Sequence, residues 1–243
     1  MLLFEKVGVE NTEKALELAL SAAKERGLDV VLATTGGGTV PVALALAKKL
    51  GYEGKIVAVT HAFGSREKGK NILEPEKMQE FREAGVTVVT AAHALSGAER
   101  GLSKKFSGIY PVEIVANTLK MLGQGTKVCV EIAMMALDNG AIDYGKQIIA
   151  IGGSGRGADT VCRLTPEYTS DLMGTKSMRF CASPRWKVNL SLTPFGCKIS
   201  NKMTGDLLFE EKQHLGDCGL SREAICDLAS RKGSNLSFQE DLL

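Results

Sequence analysis

Apolar residues recur along this chain in two alternating periods. Between Thr12 and Arg26 they fall at Leu16, Ala19, Leu20 and Ala23, one face of a 3.6-residue repeat, which predicts a helix. Asn11 is placed to cap its start, and Gly27 stands where a left-handed residue closes a helix. Asp29–Ala33 is a short continuous apolar run and predicts a buried strand. Pro41 suits the first turn of a second helix, with Ala43, Leu46, Ala47 and Leu50 on one face and Gly51 at its end. The pattern repeats. Lys55–Thr60 predicts a strand, Pro75–Ala84 a helix with Met78 and Phe81 inward and Gly85 behind it, and Val86–Ala91 a third strand.

From Ala92 to Tyr110 no period is evident, and a long loop is expected, of the kind that is usually functional or mobile. Pro111 then opens a helix with Val112, Val115, Ala116, Leu119 and Leu122 inward. After Gly123-Gln124-Gly125 a further helix carries Val128, Ile132, Met135 and Ala136 on one face. Lys146–Leu164 reads as a fourth strand, a glycine loop and a fifth strand, and Ser177–Ala182 as a sixth. Strands alternating with helices imply parallel pairing by right-handed crossovers. Continuous apolar strands imply helices on both faces. The expected fold is therefore a three-layer α/β/α sandwich around a mostly parallel open sheet, occupying residues 1–185.

The segment 186–243 is rich in Ser, Asn, Lys and Asp and reads as an appended, weakly ordered tail. Only Ser221–Ala229 has helical spacing there, with Ile225, Leu228 and Ala229 as its apolar face. Cys197, His214, Cys218 and Cys226 fit no standard zinc spacing, so no metal is expected.

Composition narrows the function. An apolar fraction of 44% supports a sizeable core, and a net charge of +2 without a dense basic run argues against nucleic acid or an anionic membrane as partner. No apolar run has transmembrane length, and the acidic residues near the start argue against a secretory signal. Six cysteines in so long a chain do not form a disulfide scaffold. Cys129, Cys162 and Cys181 lie inside apolar patterns, as small core residues do, which fits a reducing cytoplasm. Assembly into a homo-oligomer stays open.

Two glycine-rich segments follow strands directly, "TTGGGT" at Thr34–Thr39 and "GGSGRG" at Gly152–Gly157. In open α/β sheets ligands bind beyond the carboxyl ends of the strands, where strand order reverses. If the first and fourth strands are neighbours, both loops line one crevice. The helix opened by Pro41 then turns its free N–H groups toward a bound anion. Thr34, Thr35 and Thr39 add hydroxyls, Gly36, Gly37 and Gly38 allow close backbone approach, and Gly152, Gly153, Ser154, Gly155, Arg156 and Gly157 form the opposing loop with one cation. The alternative for either loop alone is an ordinary turn.

A nucleoside-triphosphate P-loop is absent. The dinucleotide fingerprint fails because Pro41 stands at its third glycine and the second strand ends in Thr60-His61 instead of an acid. The expected ligand is a phosphorylated small molecule. Thr60, His61 and His93 follow strands at the same edge and join the candidate set. The histidines either touch ligand or bond loop backbone. Ser96, Glu99 and Arg100 belong either to a lid or to a packed surface loop. Phe63 belongs either to the core or to a ligand ring. Glu131, in an apolar helix, needs a salt-bridge partner, and Asp159 is placed to brace its own loop. No nucleophile–base or carboxylate pair stands out as catalytic.

With both loops in place, the chain resembles the C-terminal α/β domain of pyruvate kinase, and more closely the stand-alone archaeal and bacterial proteins built from that domain. The resemblance covers roughly Phe4 to Arg185 and is carried by "ENTEKALELA", "ATTGGGT", "AHALSGAERG", "GQGTKVCVEIAMMALDNG" and "GGSGRGADT". The tail from Trp186 has no counterpart in it. In regulated pyruvate kinases this domain is not catalytic but holds a sugar-bisphosphate effector, with loops that correspond to Thr34–Thr39 and Gly152–Gly157. Stand-alone relatives are associated with flavin mononucleotide, so the resemblance implies that cofactor. The catalytic barrel is missing from this sequence, so the resemblance does not imply pyruvate kinase activity. A flavin-dependent oxidoreductase, or an enzyme acting on a phosphorylated metabolite, is the alternative. The first loop carries more glycine and fewer hydroxyls than the effector loop does, which argues against a sugar bisphosphate as the ligand and leaves the phosphate cradle intact.

Overall fold

The structure, a computed structural model, describes residues 1–185 together with 190–192 and 197–199. The chain divides into two units, Met1–Arg185 and Trp186–Leu243. In the first, the strands β1 (Leu2–Phe4), β2 (Asp29–Ala33), β3 (Ile56–Thr60), β4 (Thr87–Thr90), β5 (Ile148–Gly152), β6 (Thr160–Thr165) and β7 (Lys176–Pro184) form one sheet. Their order is β1-β7-β6-β5-β2-β3-β4. The helices are α1 (Thr12–Arg26), α2 (Thr39–Leu50), α3 (Pro75–Glu83), α4 (Gly97–Phe106), α5 (Pro111–Met121) and α6 (Gln124–Asp138). Of the second unit, Leu190–Leu192 pairs antiparallel with Cys197–Ile199. The helix expected at Ser221–Ala229 and the residues His214, Cys218 and Cys226 lie outside the described residues.

Alternation along the central strands builds the three layers. Val30 and Leu32 of β2, Ile56 and Ala58 of β3 and Ile149 and Ile151 of β5 face one side, with Leu16, Leu20, Ala43, Leu46 and Phe81 of α1, α2 and α3. Val31, Val57, Val59, Ile148 and Ala150 face the other, against Cys129, Ile132, Ala133 and Ala136 of α6. Helix α6 is buried on both sides, because Val130 and Met134 pack with Ala116 and Leu95 while its sheet face packs on β2 and β5. That explains why its sequence is apolar almost throughout. α1 and α2 both close on a glycine in the left-handed region, Gly27 at φ 59° and Gly51 at φ 62°.

The sheet is mostly parallel, as expected, with one reversed strand, and three expectations need correction. β6 runs antiparallel to both β5 and β7. The connection 153–159 is far too short for a parallel crossover, which takes a dozen residues or more, so the chain turns back as a hairpin. The expected loop 92–110 contains the ten-residue helix α4. Gly97 and Gly101 masked its propensity and none of its residues is buried. Tertiary bonds hold it, with Glu99 Oε2 accepting from the backbone N–H groups of Val112 and Glu113, and Ser103 donating to Glu113. Asn11 does not cap α1 with its side chain; it donates instead to the Lys6 carbonyl at 2.7 Å. Leu122 is exposed, because α5 ends at Met121. The strand β1, paired parallel with β7, was too short to show a period.

Candidate functional site

β2 and β5 are hydrogen-bonded parallel neighbours, with Val31 opposite Ala150. The chain leaves β2 toward β3 on one side and returns to β5 on the other, so strand order reverses between β2 and β5. A crevice of about 1040 Å³ opens beyond their carboxyl ends. Thr34, Thr35, Gly36, Gly38 and Thr39 line it from the first loop, Thr60, His61 and His93 from the ends of β3 and β4, and Gly153, Ser154, Gly155, Arg156 and Gly157 from the second loop.

Two expected site residues lie elsewhere. Gly37 is buried at φ 87°, and a Cβ there would sit 3.0 Å from Leu73 Cδ1 and 3.1 Å from Phe81 Cζ, so it serves the turn and the core behind it. Gly152 ends β5 beneath α6, where a Cβ would meet the Gly125 carbonyl oxygen at 2.6 Å and Cys129 Sγ at 3.1 Å. Its missing side chain lets the start of α6 approach the sheet.

The first loop is drawn tight by backbone and hydroxyl bonds. Thr34 N–H donates to Val59 O at 2.9 Å, and the Thr39 hydroxyl donates to Ala33 O at 3.0 Å. Thr39 is therefore committed to the loop itself. Thr34 is not. Its hydroxyl is buried in a residue only 4% exposed and has no hydrogen-bond partner among the described residues. Helix α2 begins beside it, with Gly38 at the cap position and no side chain among the described residues capping its first turn. An uncapped helix start and an orphan hydroxyl at one place form a donor-rich pocket.

The second loop is braced from within. Asp159, fully buried, accepts from Ser154 N–H, from the Ser154 hydroxyl and from the Thr160 hydroxyl, all within 3.2 Å. Thr12 accepts from Ala158 N–H at 3.0 Å and fastens this loop to the start of α1. Arg156 is exposed at the crevice and makes no salt bridge among the described residues.

A polar chain crosses the crevice floor. His61 Nδ1 lies 2.9 Å from His93 Nε2, and His93 Nδ1 lies 3.4 Å from Glu131 Oε2. Glu131 Oε1 accepts from Leu95 N–H at 3.0 Å, and Oε2 is ion-paired with Lys127 one turn earlier on α6. Burial alone pushes the Glu131 carboxyl up. The His93 hydrogen bond and the Lys127 charge outweigh it and bring the group down to about 2. Burial draws the Lys127 ammonium down against the opposing pull of Glu131. Burial, followed by the charge of His93, holds His61 below its ordinary value.

The salt bridge expected of Glu131 is thus formed with Lys127, a partner at i,i+4 along α6 that the spacing alone could have pointed to. Arg66, Arg100 and Gln124 also line the crevice, as do Glu10 and Glu13. Ser96 and Arg100, from the expected loop, reach the crevice, while Glu99 is spent on α5. Phe63 is exposed, outside both the crevice and the core. Cys129, whose thiol is raised by burial, donates to backbone carbonyls and is closed to solvent.

The model of the pyruvate kinase alpha/beta domain family matches residues 13–162. The chain belongs to that family. The matched span runs from α1 into β6 and contains both glycine loops, His61, His93, Lys127 and Glu131. Strands β1 and β7 lie outside it. No helix among the described residues is long and apolar enough to cross a membrane.

Proposed function

We propose that the crevice binds a phosphorylated small molecule, flavin mononucleotide by the family resemblance, and that the chain is a cytoplasmic binding protein. The observation that carries the reading is the Thr34 hydroxyl, buried without a partner at the open start of α2. A buried hydroxyl left unpaired costs free energy that an acceptor oxygen would recover. Phosphate supplies such oxygens, and the uncapped N–H groups of α2 and the charge of Arg156 across the crevice favour the same group. A space of about 1040 Å³ accommodates a mononucleotide, and Val42, Val59, Val128 and Ile132 offer apolar surface to its ring.

Titration with flavin mononucleotide, followed by flavin fluorescence, tests this. Saturable binding that inorganic phosphate displaces, and that riboflavin reproduces only weakly, is the expected result. Equal binding of riboflavin would remove the phosphate cradle, and no spectral change would remove the flavin. A second reading, an enzyme acting on a phosphorylated metabolite, is favoured by the histidine pair bonded to Glu131. Turnover of a bound phosphate ester, absent from a His61→Gln variant, would establish it.

A further inference from the structure

The hydrogen bonds on the crevice floor run in one direction. Glu131 is an ionised carboxylate and can only accept, so His93 Nδ1 carries the proton of their contact. With His93 neutral, its Nε2 is a lone pair, so the proton between the two rings sits on His61 Nδ1. The remaining ring nitrogen, His61 Nε2, is then unprotonated and makes no hydrogen bond among the described residues, on a residue that lines the crevice.

This chain has room for one more proton. A proton on His61 Nε2 leaves every existing bond intact and converts the crevice-facing nitrogen from acceptor to donor. At 2.9 Å the two facing nitrogens can share only one proton, since two N–H groups there would oppose each other.

Resting on the phosphate reading above, we propose that His61 is a proton-exchanging ligand contact: binding of a phosphate monoester takes up one proton at His61 Nε2, which then donates to the anion. The proton comes from solvent, no covalent bond to the ligand is made or broken, and it returns to solvent on release. The charges facing His61 set the balance. Arg66 from the β3–α3 connection and Lys127 from α6 oppose its protonation, Glu131 from α6 favours it, and His93 opposes it when charged. Arg100 of α4 lies in the same crevice. A dianionic ligand offsets the cations and tips the balance. Burial disfavours the charged form of His61 until such a ligand arrives.

Calorimetric titration with flavin mononucleotide, above neutral pH in buffers of different ionisation enthalpy, tests the coupling. The phosphate itself is then already dianionic, since its second pKa is about 6. The heat should depend on the buffer in the sense of proton uptake, rising toward about one proton per site, the linkage limit for one titrating group. In a His61→Gln variant binding should weaken and its heat should become independent of buffer. Heat independent of buffer in the unaltered protein, or unchanged proton uptake in the variant, overturns the coupling and leaves phosphate binding standing. No heat with either flavin mononucleotide or inorganic phosphate overturns the ligand reading and the coupling together.

Discussion

Replacing Lys127 with Met tests the energetics of the crevice floor most directly. Lys127 is 4% exposed and Glu131 3%, so neither charge has water to fall back on. Removing one partner of a buried pair leaves an uncompensated charge and typically costs about 3–5 kcal/mol. A second route gives a similar size. A carboxyl held at about 2 instead of its ordinary 4.5 contributes about 3 kcal/mol, shared between Lys127 and His93. The folded value is depressed, so this stability is present above about 4.5 and is lost as the pH falls toward 2.

The variant should therefore unfold at lower denaturant near neutral pH, by an amount worth about 3 kcal/mol or more. The gap should narrow in acid as its Glu131 protonates. Adding Glu131→Gln removes the stranded charge and keeps an oxygen for Leu95 N–H, so the double variant should recover at least half the loss. Guanidinium unfolding followed by far-ultraviolet circular dichroism at several pH values reads all three. A single-variant loss below about 1 kcal/mol, the range of exposed pairs, would show that the pair is solvated and that no buried relay exists. A double variant no more stable than the single would refute the buried pair equally.

Thr34→Val should leave stability unchanged or slightly raised, because it removes a hydroxyl that has no partner, and should weaken flavin mononucleotide by about 0.5–1.5 kcal/mol. A clear drop in stability would mean that the hydroxyl is satisfied within the fold. Arg156→Ala should weaken flavin mononucleotide by about 1.5–3 kcal/mol while hardly touching riboflavin; unchanged affinity for the phosphorylated ligand removes the second loop from the cradle. Gly37→Ala should lower stability by about 1–3 kcal/mol, since φ 87° disfavours any side chain and its Cβ would press on Leu73 and Phe81. A normal thermal transition with binding selectively abolished would place Gly37 at the ligand after all.

What the sequence revealed and what it hid follow from the range of the interactions involved. β2, β3 and β5 were legible as continuous apolar runs, and the helices α1, α2 and α6 as local apolar periods closely followed by glycine. The crevice was legible for a related reason. Loops that leave parallel strands emerge at one edge of the sheet, so placing Thr34–Thr39 and Gly153–Gly157 together needed only the β2–β5 neighbourhood. Within those loops the sequence did not separate glycines that face a ligand from those that face the core. Gly36 and Gly37 are adjacent and chemically identical, yet a Cβ on Gly36 would meet nothing within 4 Å while one on Gly37 would meet Leu73 and Phe81. That difference depends on Leu73 and on Phe81 of α3, both far along the chain from the loop. The reversed β6 was in fact readable, because a connection too short for a crossover already implies a hairpin. The relay was half-readable: Lys127 and Glu131 stand at i,i+4 in an otherwise apolar helix, a spacing that in so buried a setting demands pairing. What no local pattern supplied was the rest of the relay. His61 and His93 are thirty-two residues apart on two different strand ends. Only the fold closes both on Glu131 and joins the three groups into one chain of polar contacts.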